Sequence, residues 1–103
     1  MWNDKDNMLK IFARFENKEE FPCECPNCGK KKVHGYLHRF EDDDKGGGWV
    51  WCESCGAYSH VTILIPDWWK NYPHIDEDEL VSDPEYLNEF ADSIDKHIAD
   101  LIS

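Results

Sequence analysis

Two short cysteine motifs constrain this chain more than anything else in it. They are Cys25-Pro26-Asn27-Cys28-Gly29 and Cys52-Glu53-Ser54-Cys55-Gly56, with 23 residues between Cys28 and Cys52. Two residues between paired cysteines let the backbone reverse, so that both sulfurs face one ion and nearby N–H groups can donate to them. The glycine after each second cysteine supplies the left-handed conformation that such a turn favours. Brought together, the two knuckles offer the four thiolates of a closed tetrahedral site, the donor set of structural zinc. The expected ligands of one Zn²⁺ are therefore Cys25, Cys28, Cys52 and Cys55. Four thiolates leave no vacant coordination position, so the ion is expected to hold the fold and do no chemistry.

The knuckles and the segment between them resemble the zinc ribbons, over about residues 22–65. That resemblance implies a three-stranded antiparallel sheet hung from the two knuckles. The residues support the same plan. Positions 33–40 (Val-His-Gly-Tyr-Leu-His-Arg-Phe) are rich in strand formers, and Glu41 to Gly48 ends in three glycines suited to a hairpin loop. Trp49 to Trp51 read as a short second strand, and Tyr58 to Ile65 as a third that Pro66 stops. Other uses of C-x2-C fit less well. A thioredoxin-like pair needs a βαβ pattern, and a disulfide framework usually needs an even cysteine count in a secreted chain, whereas five cysteines occur here. Rubredoxin, with one iron in two such knuckles, is the nearer rival, but it typically carries the C-P-x-C-G form second. Cys23 is too close to Cys25 to form a knuckle with it, and reads as a spare thiol, with a ligand or redox role as the alternative.

Helices are expected on either side. Met8, Ile11, Phe12 and Phe15 recur at helical spacing behind Asn3 or Asp4 as a cap. Near the C-terminus Asp83 can cap, Pro84 suits the first helical position, and Leu87, Phe90, Ile94, Ile98 and Leu101 form one apolar stripe. The stripe is expected to pack on the sheet. The fold class is thus α+β, a single domain over 1–103: N-terminal helix 1–21, ribbon 22–65, aromatic and acidic connection 66–82, C-terminal helix 83–103. A structural metal is a common supplement at this size.

Charge is the second constraint. The formal net charge is −11, and residues 67–103 hold eleven acids against Lys70 and Lys96. Such a field disfavours nucleic-acid backbones and favours basic partners. No run approaches the ~18 apolar residues of a membrane span, and Met1 to Asn7 lacks a basic region leading into an apolar one. Reduced thiols then point to the cytoplasm. Trp68 and Trp69 are adjacent, so one of them is a candidate interface anchor beside Asp76, Glu77, Asp78 and Glu79. Trp49 and Trp51 share one strand face and should be buried or exposed together.

One segment runs against the acidic trend. Lys30, Lys31, Lys32 and Arg39, with Tyr36 and Trp49 nearby, have the basic and aromatic mix of a single-strand nucleic-acid surface. Evidence for an enzyme is thin: His34 and His38 can share a face, but no serine elbow, phosphate loop or H-E-x-x-H motif accompanies them. In size and acidity the chain resembles small bacterial immunity proteins. That resemblance implies a non-catalytic monomer that inhibits a basic protein partner such as a toxin. A nucleic-acid-binding or transcription-associated ribbon using residues 30–51 is the alternative.

Overall fold

A computed structural model of the chain describes residues 5–40 and 44–103. The caps Asn3 and Asp4, the indole of Trp2, and Glu41, Asp42 and Asp43 of the expected loop lie outside the described residues. The layout is α+β: helix α1 (Lys5–Glu16), strands β1 (Val33–Arg39), β2 (Lys45–Cys52) and β3 (Tyr58–Leu64), then helices α2 (Glu85–Asn88) and α3 (Ala91–Ile102). The strands form one antiparallel sheet in the order β1-β2-β3.

Register divides the sheet into two faces. Tyr36 pairs with Trp49 and Trp49 with His60, so these three project to one side, together with His34 and Trp51. The segment after β3 covers that side: Trp49 Nε1 donates to the Val81 carbonyl at 2.8 Å and Trp51 Nε1 to Asn88 Oδ1 at 2.9 Å. Both indoles are buried, as one shared face requires. Leu37, Gly48 and Val50 project to the other side, toward Phe12 and Phe15 of α1. With both faces covered, β1 and β2 are buried almost throughout rather than alternately.

The three glycines are the main departure from expectation. Gly46, Gly47 and Gly48 belong to β2 and pair with Arg39, His38 and Leu37, so the strand starts four residues earlier than Trp49. Close approach explains them better than turn formation. A Cβ on Gly48 would lie 2.8 Å from Phe12 Cε1, and one on Gly47 would lie 2.6 Å from the Trp49 ring. On Gly46 it would overlap the His38 carbonyl of the neighbouring strand. Gly48→Ala is accordingly expected to cost about 1–3 kcal/mol through overpacking. Urea unfolding checks this, and an unchanged midpoint would contradict the close packing of α1 on the sheet.

The expected C-terminal helix is present but interrupted once, between α2 and α3. Asp83 does accept the Glu85 N–H at 2.8 Å. The chain then tightens at Glu89 and Phe90, whose N–H groups bond three residues back to Tyr86 and Leu87, and α3 begins afresh at Ala91. Leu87, Ile94 and Ile98 are buried all the same, so the apolar stripe faces the core across the break.

The two sheet edges differ. Along β1, Val33 exchanges backbone hydrogen bonds with Cys23. Further along, the Asn71 side chain accepts the Arg39 N–H at 2.8 Å and donates to the Arg39 carbonyl at 3.1 Å. Trp69 closes that edge, edge-on to both Phe15 and Tyr36.

Candidate metal centre

The two knuckles repeat one set of backbone bonds. The Cys25 N–H reaches the Lys30 carbonyl and the Gly29 N–H returns to Cys25; likewise Cys52 reaches Ala57 and Gly56 returns to Cys52. Gly29 and Gly56 have φ of 76° and 80°, the left-handed region in which a Cβ is strained. A bond from the Glu53 N–H to the Lys32 carbonyl sets the second knuckle against the start of β1.

These turns bring four sulfurs together. The Sγ atoms of Cys25, Cys28, Cys52 and Cys55 all lie within 4.8 Å of one another. Cys25 and Cys55 are 3.8 Å apart, Cys28 and Cys52 3.6 Å. Thiolates this close repel unless a cation lies between them, so the cluster is one that can hold a metal ion. Cys25 and Cys52 are buried, whereas Cys28 and Cys55 face outward.

Donors reach Cys25 and Cys55, while burial raises the Cys52 thiol. The Asn27 N–H donates to Cys25 Sγ at 3.3 Å, and the Asn27 side-chain amide to Cys55 Sγ at 3.5 Å. The Asn27 amide and the Ala57 backbone together pull the Cys55 thiol down to about 6. Cys23 is different. It lies outside the cluster, is buried, and burial pushes its thiol up to about 11. A protonated, packed thiol is the spare cysteine that its spacing suggests.

Beside the second knuckle lies a charged group hidden from simple sequence reading. His34 is buried on the face shared with Trp51, Nδ1 2.8 Å from Asp95 Oδ2 and Nε2 3.0 Å from Glu53 Oε2. Burial opposes the imidazolium, but Asp95 and then Glu53 outweigh it and raise the His34 pKa. Burial also raises the Asp95 carboxyl, more than His34 pulls it back. The triad thereby ties α3 to β1 and to the knuckle. Its only foreshadowing was the even spacing of His34 and His38; nothing in the sequence pointed to Asp95, 61 residues away. His38 and His60 go the other way, both lowered by burial, with Glu77 opposing this at His38.

Among the other sequence candidates, Asp76, Glu77, Asp78 and Glu79 are all exposed, the last three on a 3-10 turn that the Asp76 side chain caps. Asp78 and Glu79 line an open cleft with Val81, Asp83, Glu85 and Glu89. Trp68 is half-buried, and Trp69 lies in the core at 3% exposure. A ring packed between Phe15 and Tyr36 cannot also anchor a partner, which removes Trp69 from the candidate surface. The basic set is divided too. Lys30, Lys31 and Lys32 are exposed, but Tyr36 and Trp49 are buried, and the Arg39 guanidinium is bound to the Pro66 carbonyl at 2.8 Å. Buried rings cannot stack on bases, so lysines and aromatics do not form one surface.

No family model matches this chain, and no curated protein or solved structure is significantly similar to it. Among the described residues, no helix is long and apolar enough to cross a membrane.

Proposed function

We propose that this is a non-catalytic zinc protein that binds, and thereby inhibits, a basic protein partner. The ion is read as zinc from the donor set. A zinc–sulfur distance of about 2.3 Å sets tetrahedral sulfur separations of about 3.8 Å; two pairs stand at 3.6 and 3.8 Å, and all four sulfurs lie within 4.8 Å. When bound, zinc supplies a cross-link between the knuckles. Asn27 and the turn backbone hold the thiolates toward it.

The observation that carries the binding function is the acidic cleft. Asp78, Glu79, Asp83, Glu85 and Glu89 line it together with Val81 and Tyr86, and Val81 is 60% exposed. Five carboxylates in one cleft with exposed apolar surface suit a cationic protein surface, steering its approach and rejecting acidic competitors. This is the action implied by the resemblance to acidic immunity proteins, with the cytoplasm as the proposed site of action.

Native mass spectrometry of the protein isolated from its host at low salt is expected to show one zinc ion and a basic protein in one-to-one complex. Asp78→Lys, Glu79→Lys and Glu85→Lys combined should then slow association about tenfold or more and flatten its salt dependence. An oligonucleotide adduct would favour the exposed lysines at 30–32, iron would favour electron transfer, and unchanged kinetics would remove the acidic cleft.

A further inference from the structure

The guarded edge of the sheet has an unguarded counterpart. Bonds from the Cys52 N–H to Ala57 and from the Ile65 N–H to Asp44 fix the phase of the β2–β3 ladder. In an antiparallel pair the hydrogen-bonded positions alternate. Ser59, Val61 and Ile63 therefore bond to β2, while the N–H and C=O groups of Tyr58, His60, Thr62 and Leu64 point away from the sheet. Among the described residues, no backbone group pairs with that outward row. β3 carries no proline, lysine or arginine, the usual means of blunting an open edge.

What flanks this edge differs on its two sides. Toward α1, at the C-terminal end of β3, an apolar groove is lined by Leu9, Phe12, Ala13, Ile63, Leu64 and Pro66, with Glu16 among them. Leu9 is 52% exposed, and Leu64, which ends the strand on the His60 side of the register, 68%. On the opposite side His60 lies 3.4 Å from Ser82, and Tyr58 shares a hollow with Glu53, Asp83 and Glu85. The hydrocarbon therefore lies at the Ile63–Pro66 end of the edge and the carboxylates at its Tyr58 end. A strand laid along β3 meets the two in succession, and they select one kind of segment.

We infer that β3 receives, as a fourth strand, an extended segment of the basic partner whose basic residues lie toward Tyr58 and whose apolar residues lie toward Leu64. This rests on the basic-partner reading and adds to it a docking edge and a sequence pattern. The outward N–H and C=O groups supply main-chain affinity; the groove and the acids supply selection. A second copy of this chain is disfavoured there, because each copy carries a net charge of −11.

The test uses the metal-loaded full chain and a short lysine peptide, lysines in one half and valines in the other, with glutamates replacing the lysines in the control. Amide hydrogen exchange should show the N–H groups of Tyr58, His60, Thr62 and Leu64 slowing by about tenfold or more with the lysine peptide only. N-methylation of alternate peptide bonds on the edge-facing side should abolish this protection. Thr62→Pro removes one outward donor and no ladder bond, so it should abolish binding while the chain stays folded. Should that variant fail to fold, the exchange pattern and the N-methylated peptide decide alone. Binding that protects only residues 76–89 and ignores Thr62→Pro would overturn the docking edge and leave the basic-partner reading standing. No binding of the lysine peptide at millimolar concentration would overturn it as well, whereas absence of any basic partner in the native complex would defeat the underlying reading. A concentration-dependent homodimer with the same protected amides would overturn the choice of occupant.

Discussion

Chelation of the metal is expected to unfold the sheet, not merely loosen the knuckles. Structural zinc contributes about 10–16 kcal/mol of apparent binding free energy at neutral pH, against a typical net stability of 5–15 kcal/mol for a whole domain. The site also lies where the sheet begins and ends. Cys25 precedes β1, Cys52 is the last residue of β2, and Val33 and Cys52 pair directly across the ladder. Cys52→Ser should reproduce the effect of chelation, because Cys52 is buried and terminates the strand that carries both core indoles, Trp49 and Trp51. Tryptophan fluorescence and near-UV circular dichroism report the loss directly. Cys23→Ala, at a protonated thiol outside the cluster, should leave the metal content unchanged and lower stability only by the small cavity it creates. A chelated protein that kept its near-UV signal would show that the helices and sheet need no ion. Loss of metal from Cys23→Ala would make that residue a ligand.

Asp95→Ala is expected to cost up to about 3 kcal/mol, because it leaves the buried imidazolium with only the more exposed Glu53 as a counter-charge. The side chains of His34 and Asp95 are only 3% and 12% exposed. Glu53 is 42% exposed, so Glu53→Ala should cost no more than about 1 kcal/mol despite its hydrogen bond to the same imidazole. The pair also predicts a pH dependence. The folded pKa of His34 is raised above its ordinary 6.5. Below that ordinary value the imidazole is charged in both folded and unfolded chains, and the stabilisation is fully present. As pH rises through the folded value the proton leaves and the stabilisation is lost. The stability difference between the wild type and His34→Gln should therefore shrink as pH rises above the ordinary 6.5 and through the raised folded value. Denaturant unfolding with metal in excess measures it, and a difference that grew with pH would mean that His34 is neutral in the fold.

Much of this architecture is legible in residue order because it depends on local chemistry. Left-handed glycines after each second cysteine, strand formers at 33–39 and 58–64, and the stripe through Leu87, Ile94 and Ile98 each follow from constraints acting over a few residues. The glycines at 46–48 mislead for the same reason. Three together suit a loop locally, yet they are required in β2 by the Phe12 ring, the Trp49 ring and the neighbouring His38 carbonyl. Phe12 is more than thirty positions away, so its claim on the space at Gly48 has no local signature.

The candidate site shows the same division. The sequence by itself determined the four-cysteine cluster that can hold a metal ion, since two knuckles and their turns are complete within five residues each, and it determined the acidity of the segment after β3. Only the tertiary structure decided which aromatics are free to act. It buried Trp69, Tyr36 and Trp49 between layers, joined His34 to Asp95, and closed the β1 edge with Asn71 while leaving the β3 edge without a backbone partner among the described residues. The physical reason is one of range. Metal-ligand spacing and turn conformation are settled by neighbouring residues, whereas burial and edge pairing depend on which distant segment arrives to cover a face.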